Sequence, residues 1–142
     1  MRRVILPAGC KVRTTKFGPM PVETLKSGDC AVSYNYEARR GTITTITDTK
    51  PVGRASTLSL NLLGVTNIIL AEATVIVTRS GDRKIEDVPT HIIGVCLLNP
   101  NQLLTRQVNF ATPGPDLEMI EVAWDGPEYL LAEGILCGSL DL

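Results

Sequence analysis

The sequence is short of aromatic rings, of histidine and of long apolar runs. Aromatics make up 4% of its 142 residues, and the single histidine is His91. So few rings leave no row of stacking platforms for bases. The basic residues form no dense stripe either, so the chain carries no strong nucleic-acid signal. No apolar run approaches the roughly 20 residues of a membrane helix. The opening MRRVILPAGC holds two arginines and a short apolar patch, but Pro7 interrupts it before it reaches the length of a signal-peptide core. The expectation is a soluble protein, intracellular during its synthesis. P-loop, dinucleotide fingerprint and CxxC pair are all missing, and Cys10, Cys30, Cys96 and Cys137 are far apart. These absences read as unpaired, partly buried cysteines, no cofactor, no metal site and no identifiable small-molecule substrate.

What is present is a hydrophobic share of 44% against 20% charged residues, enough for one sizeable core in a chain of single-domain size. With so few rings, Val, Ile and Leu must make that core. They fall in short β-rich runs broken by turn residues. Strands are expected at Val12–Thr15, Cys30–Tyr36, the TITTITDT run, Thr57–Leu63, Asn67–Leu70, Thr74–Thr78, His91–Leu98, Leu103–Phe110 and Met119–Trp124. A closing hairpin should join Tyr129–Ala132 to Ile135–Cys137 about Glu133-Gly134. Gly18–Pro21 reads as a turn, Asp29 supports another with Gly28, and Asp48 should end the TITTIT run. The ATPGPD stretch looks like the least structured connection, and no long amphipathic helix is apparent. The reading is one all-β domain spanning residues 1–142.

Two features bear on organisation. VRTTKFGPMPVETL at 12–25 can be laid on VIVTRSGDRKIEDV at 75–88 with a constant offset of 63 residues, so each half reads strand, glycine turn, apolar segment. Charge is uneven: residues 1–50 carry nine Lys/Arg against four Asp/Glu, and residues 51–142 carry five against eleven, for a net charge of -1. Either the two ends meet in one fold and neutralise each other, or opposed surfaces favour head-to-tail assembly or a charged protein partner. Asp82, Glu86 and Asp87 form an acidic cluster that faces solvent or a protein partner.

VRTTKFGPMPVETLKSGDCAVSYN, with PAG before it and YLLAEGIL near the end, resembles the Hint superfamily of hedgehog autoprocessing domains and inteins. The resemblance implies a compact horseshoe of two pseudo-twofold-related β subdomains, which the 63-residue offset fits. It also implies a chemistry: a cysteine or hydroxyl attacks the preceding carbonyl while a histidine assists proton transfer. Here Ile5 falls at the nucleophile position, with Leu6 as the neighbouring register. The family's Thr-any-any-His block maps onto Ala71 and Thr74, and its closing His-Asn onto Gly138 and Ser139. An imidazole has thus been exchanged for a hydroxyl, which is a poor general base.

The resemblance therefore implies a catalytically inactive Hint-like module acting in protein assembly or structure, as a homo-oligomer or with another protein. Inactive modules of this kind in phage particles make a virion component one version of that role, and the 51–70 and 98–118 segments would supply contact loops. The alternative is an enzyme that cleaves its own N-terminal segment through Cys10, attacking the Gly9 carbonyl with His91 recruited as base. That route needs a stabilised thiolate, which the adjacent Lys11 does not by itself provide.

Overall fold

The computed structural model describes residues 1–35, 38, 40–62, 68–78, 81–84, 94–99 and 102–139. Among these described residues fourteen strands follow one another: β1 (Arg2–Pro7), β2 (Lys11–Thr14), β3 (Gly18–Pro21), β4 (Cys30–Asn35), β5 (Arg40–Ala55), β6 (Thr57–Leu62) and β7 (Ile68–Ala71). The second half continues with β8 (Val75–Thr78), β9 (Gly81–Lys84), β10 (Gly94–Asn99), β11 (Gln102–Pro113), β12 (Leu117–Trp124), β13 (Tyr129–Ala132) and β14 (Ile135–Cys137). Among the described residues the only helix is a 3-10 turn at Val22–Thr24.

The strands form one sheet in the order β1-β12-β5-β4-β2-β13-β14-β8-β10-β11-β6-β7, with β3 on β2 and β9 on β8. This order is a palindrome about the β13–β14 hairpin. Reading inward from the two ends, β1 stands where β7 does, β12 where β6 does, β5 where β11 does, β4 where β10 does and β2 where β8 does. β3 and β9 themselves begin and end 63 residues apart. Of the second echoed segment, residues 85–88 lie outside the described residues. The sheet curls until its end strands, β1 and β7, lie alongside each other.

Two long strands make that curl. β5 pairs with β4 through Arg40–Thr45 and with β12 through Ile46–Ala55, so it serves two successive parts of the sheet. β11 does the same between β10 and β6, with a register shift between Val108 and Phe110. Such shifts bend a strand and raise its twist. They also explain two corrections. Asp48 does not end the TITTIT run but sits mid-strand opposite Ala123, and the strand continues to Ala55. Pro51 is tolerated because it pairs with Ile120 beside a register shift, where the ladder is already interrupted.

Other sequence expectations are corrected for related reasons. Gly18–Pro21 is strand β3 rather than a turn; it pairs only with β2, and an edge position accepts prolines that donate nothing. The N-terminal apolar patch is strand β1. The first half of ATPGPD continues β11 to Pro113, and the 51–70 and 98–118 segments are largely paired strand rather than loops. The closing hairpin falls where expected: Ala132 pairs with Ile135 across Glu133 (φ 52) and Gly134 (φ 78), the backbone that a two-residue hairpin turn requires.

Alternation distributes the core. Leu130, Ala132, Ile135 and Cys137 join a large cluster with Val4, Leu6, Val12, Ile46 and Trp124, while Leu131 and Leu136 point the other way into a second cluster with Tyr34 and Val77. Buried Trp124 keeps its indole N–H satisfied by the Glu128 carbonyl at 2.9 Å. The basic N-terminal and acidic C-terminal parts do meet: Glu121 lies 3.2 Å from Arg3 and 3.9 Å from Lys50.

Because Ile135 is fully buried and Ile43 is 59% exposed, Ile135→Ala should cost about 2–5 kcal/mol and Ile43→Ala within about 0.5 kcal/mol. Urea unfolding of the two variants checks this, and similar losses for both would contradict the described core.

Candidate functional site

β1 is a terminal strand with one ladder partner, β12, running from Arg2 opposite Trp124 to Pro7 opposite Met119. Its even-numbered side chains Val4 and Leu6 are fully buried. The odd-numbered residues turn backbone groups to the open edge, away from β12, and two side-chain hydroxyls meet them there. The first belongs to Thr74, in the short turn between β7 and β8. This turn is closed by the Thr74 N–H donating to the Ala71 carbonyl at 3.0 Å and steadied by the Glu72 N–H on the Ser56 carbonyl at 3.3 Å. Thr74 has no exposed surface, and its Oγ1 donates to the Ile5 carbonyl at 2.7 Å.

The second hydroxyl belongs to Ser139, just beyond β14. The Gly138 N–H donates to the Val75 carbonyl at 2.9 Å, which carries the chain back to β1. There the buried Ser139 Oγ accepts from the Arg3 N–H at 3.1 Å. Ile5, Ala71, Thr74, Gly138 and Ser139 are thus brought together from strands far apart in sequence. A cleft of about 280 Å³ opens beside them, lined by Ile5, Val52, Met119 and the 71–73 turn.

This arrangement binds backbone and offers little chemistry. Thr74 can donate to a carbonyl but has no basic nitrogen with which to take a proton. The side chains on either side of the polarised peptide, Ile5 and Leu6, are hydrocarbon.

Cys10 lies elsewhere, in the turn between β1 and β2. Its N–H donates to the Pro7 carbonyl at 3.0 Å, its carbonyl accepts from Val22, and its side chain belongs to the large core cluster. A cleft of about 290 Å³ reaches it between Pro7, Gly9, Ile68, Ile69 and Glu133. Burial pushes the Cys10 thiol well above its ordinary range, and Cys137, Glu133 and Glu23 push it further. Both carboxylates are held close by the backbone: Glu23 accepts from the Gly9 N–H and Glu133 from the Lys11 N–H, each at 2.8 Å. The surroundings of Cys10 therefore oppose the thiolate that a nucleophile needs. Burial raises the Cys137 thiol to about 12.

Asp29 holds the Lys26 N–H at 2.9 Å in the turn whose Gly28 has φ 95, the supporting role expected of it. Asp82 lies in β9 opposite Val77. His91, Glu86 and Asp87 lie outside the described residues. Among the described residues, no three His, Cys, Asp or Glu side chains gather closely enough to hold a metal ion. The sequence reading missed the hydrogen bonds to Arg3 and Ile5, because backbone donors and acceptors leave no mark in a sequence. The one available signal was the Val4/Leu6 alternation, which sets which backbone groups face the open edge.

No protein-family model and no curated protein matches the chain. Solved structures do. The DnaB intein from Synechocystis sp. PCC 6803 is similar at a TM-score of 0.85 with 12% identity, over 95% of this chain and 98% of that one. The gp41-1 intein gives 0.76 with 18% identity, over 98% and 100%. A bacterial intein-like domain from Clostridium thermocellum gives 0.72 with 16% identity, over 98% and 99%. These likenesses establish the fold: the chain is an all-β domain of the Hint, or intein-like, architecture.

The thiols give a direct check. For Cys137 the folded value lies above the unfolded one, so its contribution to stability is whole below about pH 9 and lost as pH rises toward 12. Unfolding measured across that window should show a falling stability that Cys137→Ala makes shallower. In the same samples, peptide mapping should find half-buried Cys30 alkylated in the native state and Cys10 and Cys137 protected until unfolding. Native alkylation of Cys10 as fast as Cys30 would contradict the description of its surroundings.

Proposed function

We propose that this chain is an intein-like module in which the self-cleavage site has become a fixed joint, and that it serves as a non-catalytic part in protein assembly. The observation that carries the reading is the hydrogen bond from fully buried Thr74 to the Ile5 carbonyl, 2.7 Å long. Thr74 stands in the register of the family's histidine and touches one peptide carbonyl, that of Ile5. The bond corresponding to the scissile one is then Ile5–Leu6, and the attacking position belongs to Leu6 rather than Ile5. A leucine cannot attack, and a threonine is a poor general base. Ser139, in the register of the closing asparagine, supplies instead an acceptor for the Arg3 N–H. Ala71 keeps a structural task as acceptor for Thr74.

Two further parts of the reading rest on the fold. The palindromic strand order supports a horseshoe of two pseudo-twofold-related units that exchange strands, β12 onto β5 and β6 onto β11. A soluble module so built, with β1 held by Thr74 and Ser139 at one joint, suits a structural role. The partner is a second copy or another protein, with Asp82, Glu86 and Asp87 as contact residues, and a phage virion is one particle in which such a part would serve. The competing autoprocessing role for Cys10 is disfavoured by burial and two neighbouring carboxylates, which keep its thiol protonated.

Intact-mass and native-mass spectrometry of two full-length proteins test the reading. The natural sequence, incubated with a small thiol, should keep its full mass and appear as a discrete assembly, unchanged by Cys10→Ala. The Leu6→Cys/Thr74→His double variant should gain thiol-dependent release of residues 1–5. Loss of residues 1–9 from the natural chain would overturn the proposal in favour of Cys10.

A further inference from the structure

Phe17 is 65% exposed, and no other aromatic ring among the described residues is left so open. It stands at the tip between β2 and β3, and hydrogen bonds fix that tip. The Phe17 N–H donates to Thr14 Oγ1 at 3.0 Å, and the same hydroxyl donates to the Gly18 carbonyl at 2.9 Å. Gly18 has φ 69, which glycine adopts without strain. The Lys16 ammonium lies over the ring, 5.3 Å from its centroid. Among the described residues no carboxylate pairs with Lys16. The tip thus presents a ring and a cation side by side, both open to solvent.

The other end of β2 carries the complement. There the cleft of about 290 Å³ beside Cys10 is walled by Pro7, Ile68, Leu117 and Ile69, the last of them 39% exposed. Two carboxylates stand at it. Glu133 lines the cleft, and Glu23 is held by the N–H of Gly9, which lines it too. Each gives one oxygen to a backbone N–H, and neither pairs with a cation among the described residues. An apolar wall with an anionic rim therefore lies at one end of the strand, and an apolar ring with a cation at the other.

We propose that the Lys16–Phe17 tip of one copy docks in the Cys10 cleft of the next, with Phe17 against Ile69 and Leu117 and Lys16 toward Glu133 and Glu23. Cys10 and Thr15 are roughly 16 Å apart at the rise of a strand, so the tip does not reach the cleft of its own chain. The contact joins two different surfaces, and copies joined in that way close into a ring or extend as a filament. A ring already held in place loses little freedom on docking, and an aromatic anchor in a pocket carries much of an interface's affinity. Lys16 and Glu133 also fall in the basic and acidic parts of the sequence, so the uneven charge along the chain becomes complementary between copies. The inference rests on the proposed assembly role and supplies contact surfaces for it.

Native mass spectrometry over a concentration series tests this on the full-length protein, Phe17→Ser, Ile69→Lys and an equal mixture of the two variants. Both substitutions fall at exposed positions, and each variant is first shown to melt cooperatively. The natural protein should assemble, and each variant alone should raise the dissociation constant by about tenfold or more, the scale of a hot-spot residue. Where both variants are monomeric, their mixture should form dimers of one copy of each and nothing larger. The intact tip of Ile69→Lys meets the intact cleft of Phe17→Ser, and no second contact is left to extend the chain. Assembly unchanged in either single variant, or a mixture that stays monomeric or grows beyond dimers, overturns the docking and leaves the assembly role standing. A natural protein that stays monomeric overturns both.

Discussion

The Thr74 hydroxyl donates to the Ile5 carbonyl between β1 and β7, the two end strands of the sheet. An open sheet of this length would present two unpaired edges, each a template for uncontrolled strand addition. Here curling brings the edges side by side, and the edge backbone of β1 is met by hydroxyls instead of another ladder. Thr74 takes the Ile5 carbonyl and Ser139 the Arg3 N–H. Both hydroxyls are buried, so releasing either would leave a polar group unsatisfied inside the protein rather than return it to water. The remaining attachments of β1 follow: Val4 and Leu6 in the core, Arg3 on Glu121, Arg2 over Tyr129.

The same contact links fold to function. The resemblance maps the family's base onto Thr74, which carries a hydroxyl instead of an imidazole, and its nucleophile onto a hydrocarbon side chain, Ile5 or Leu6. A hydroxyl held 2.7 Å from a carbonyl with no attacking group beside it is a structural hydrogen bond. Identities of 12% to 18% to the intein structures accompany TM-scores of 0.76 to 0.85 for the DnaB and gp41-1 inteins.

Much of the fold was legible in the sequence. β13 and β14 fall at the residues expected of them, because a short hairpin carries its own turn chemistry in Glu133-Gly134. β2, β4, β6, β8 and β12 fall within a residue or two, for the alternation of Val, Ile and Leu is a strong local signal. The misses contain prolines, glycines or exposed polar residues: β3 is a strand through its neighbour β2, whereas the far half of β5 and the end of β11 are strands because the distant β12 and β6 offer a ladder. Asp48 could be read as a terminator only while β12 was out of sight. The family resemblance singled out Thr74 and Ser139, but their contacts were not legible, since their partners are backbone atoms of a strand 69 and 136 residues away in sequence.

The central claim is that the Thr74 hydroxyl pins β1 rather than merely filling space. Residue-resolved hydrogen exchange on Thr74→Val, which keeps the shape and removes the hydroxyl, tests it most directly. The account expects amides of residues 3–6 to lose protection by about tenfold or more, the worth of one buried hydrogen bond, while β13 and β14 exchange as before. Unchanged protection across β1 would contradict it.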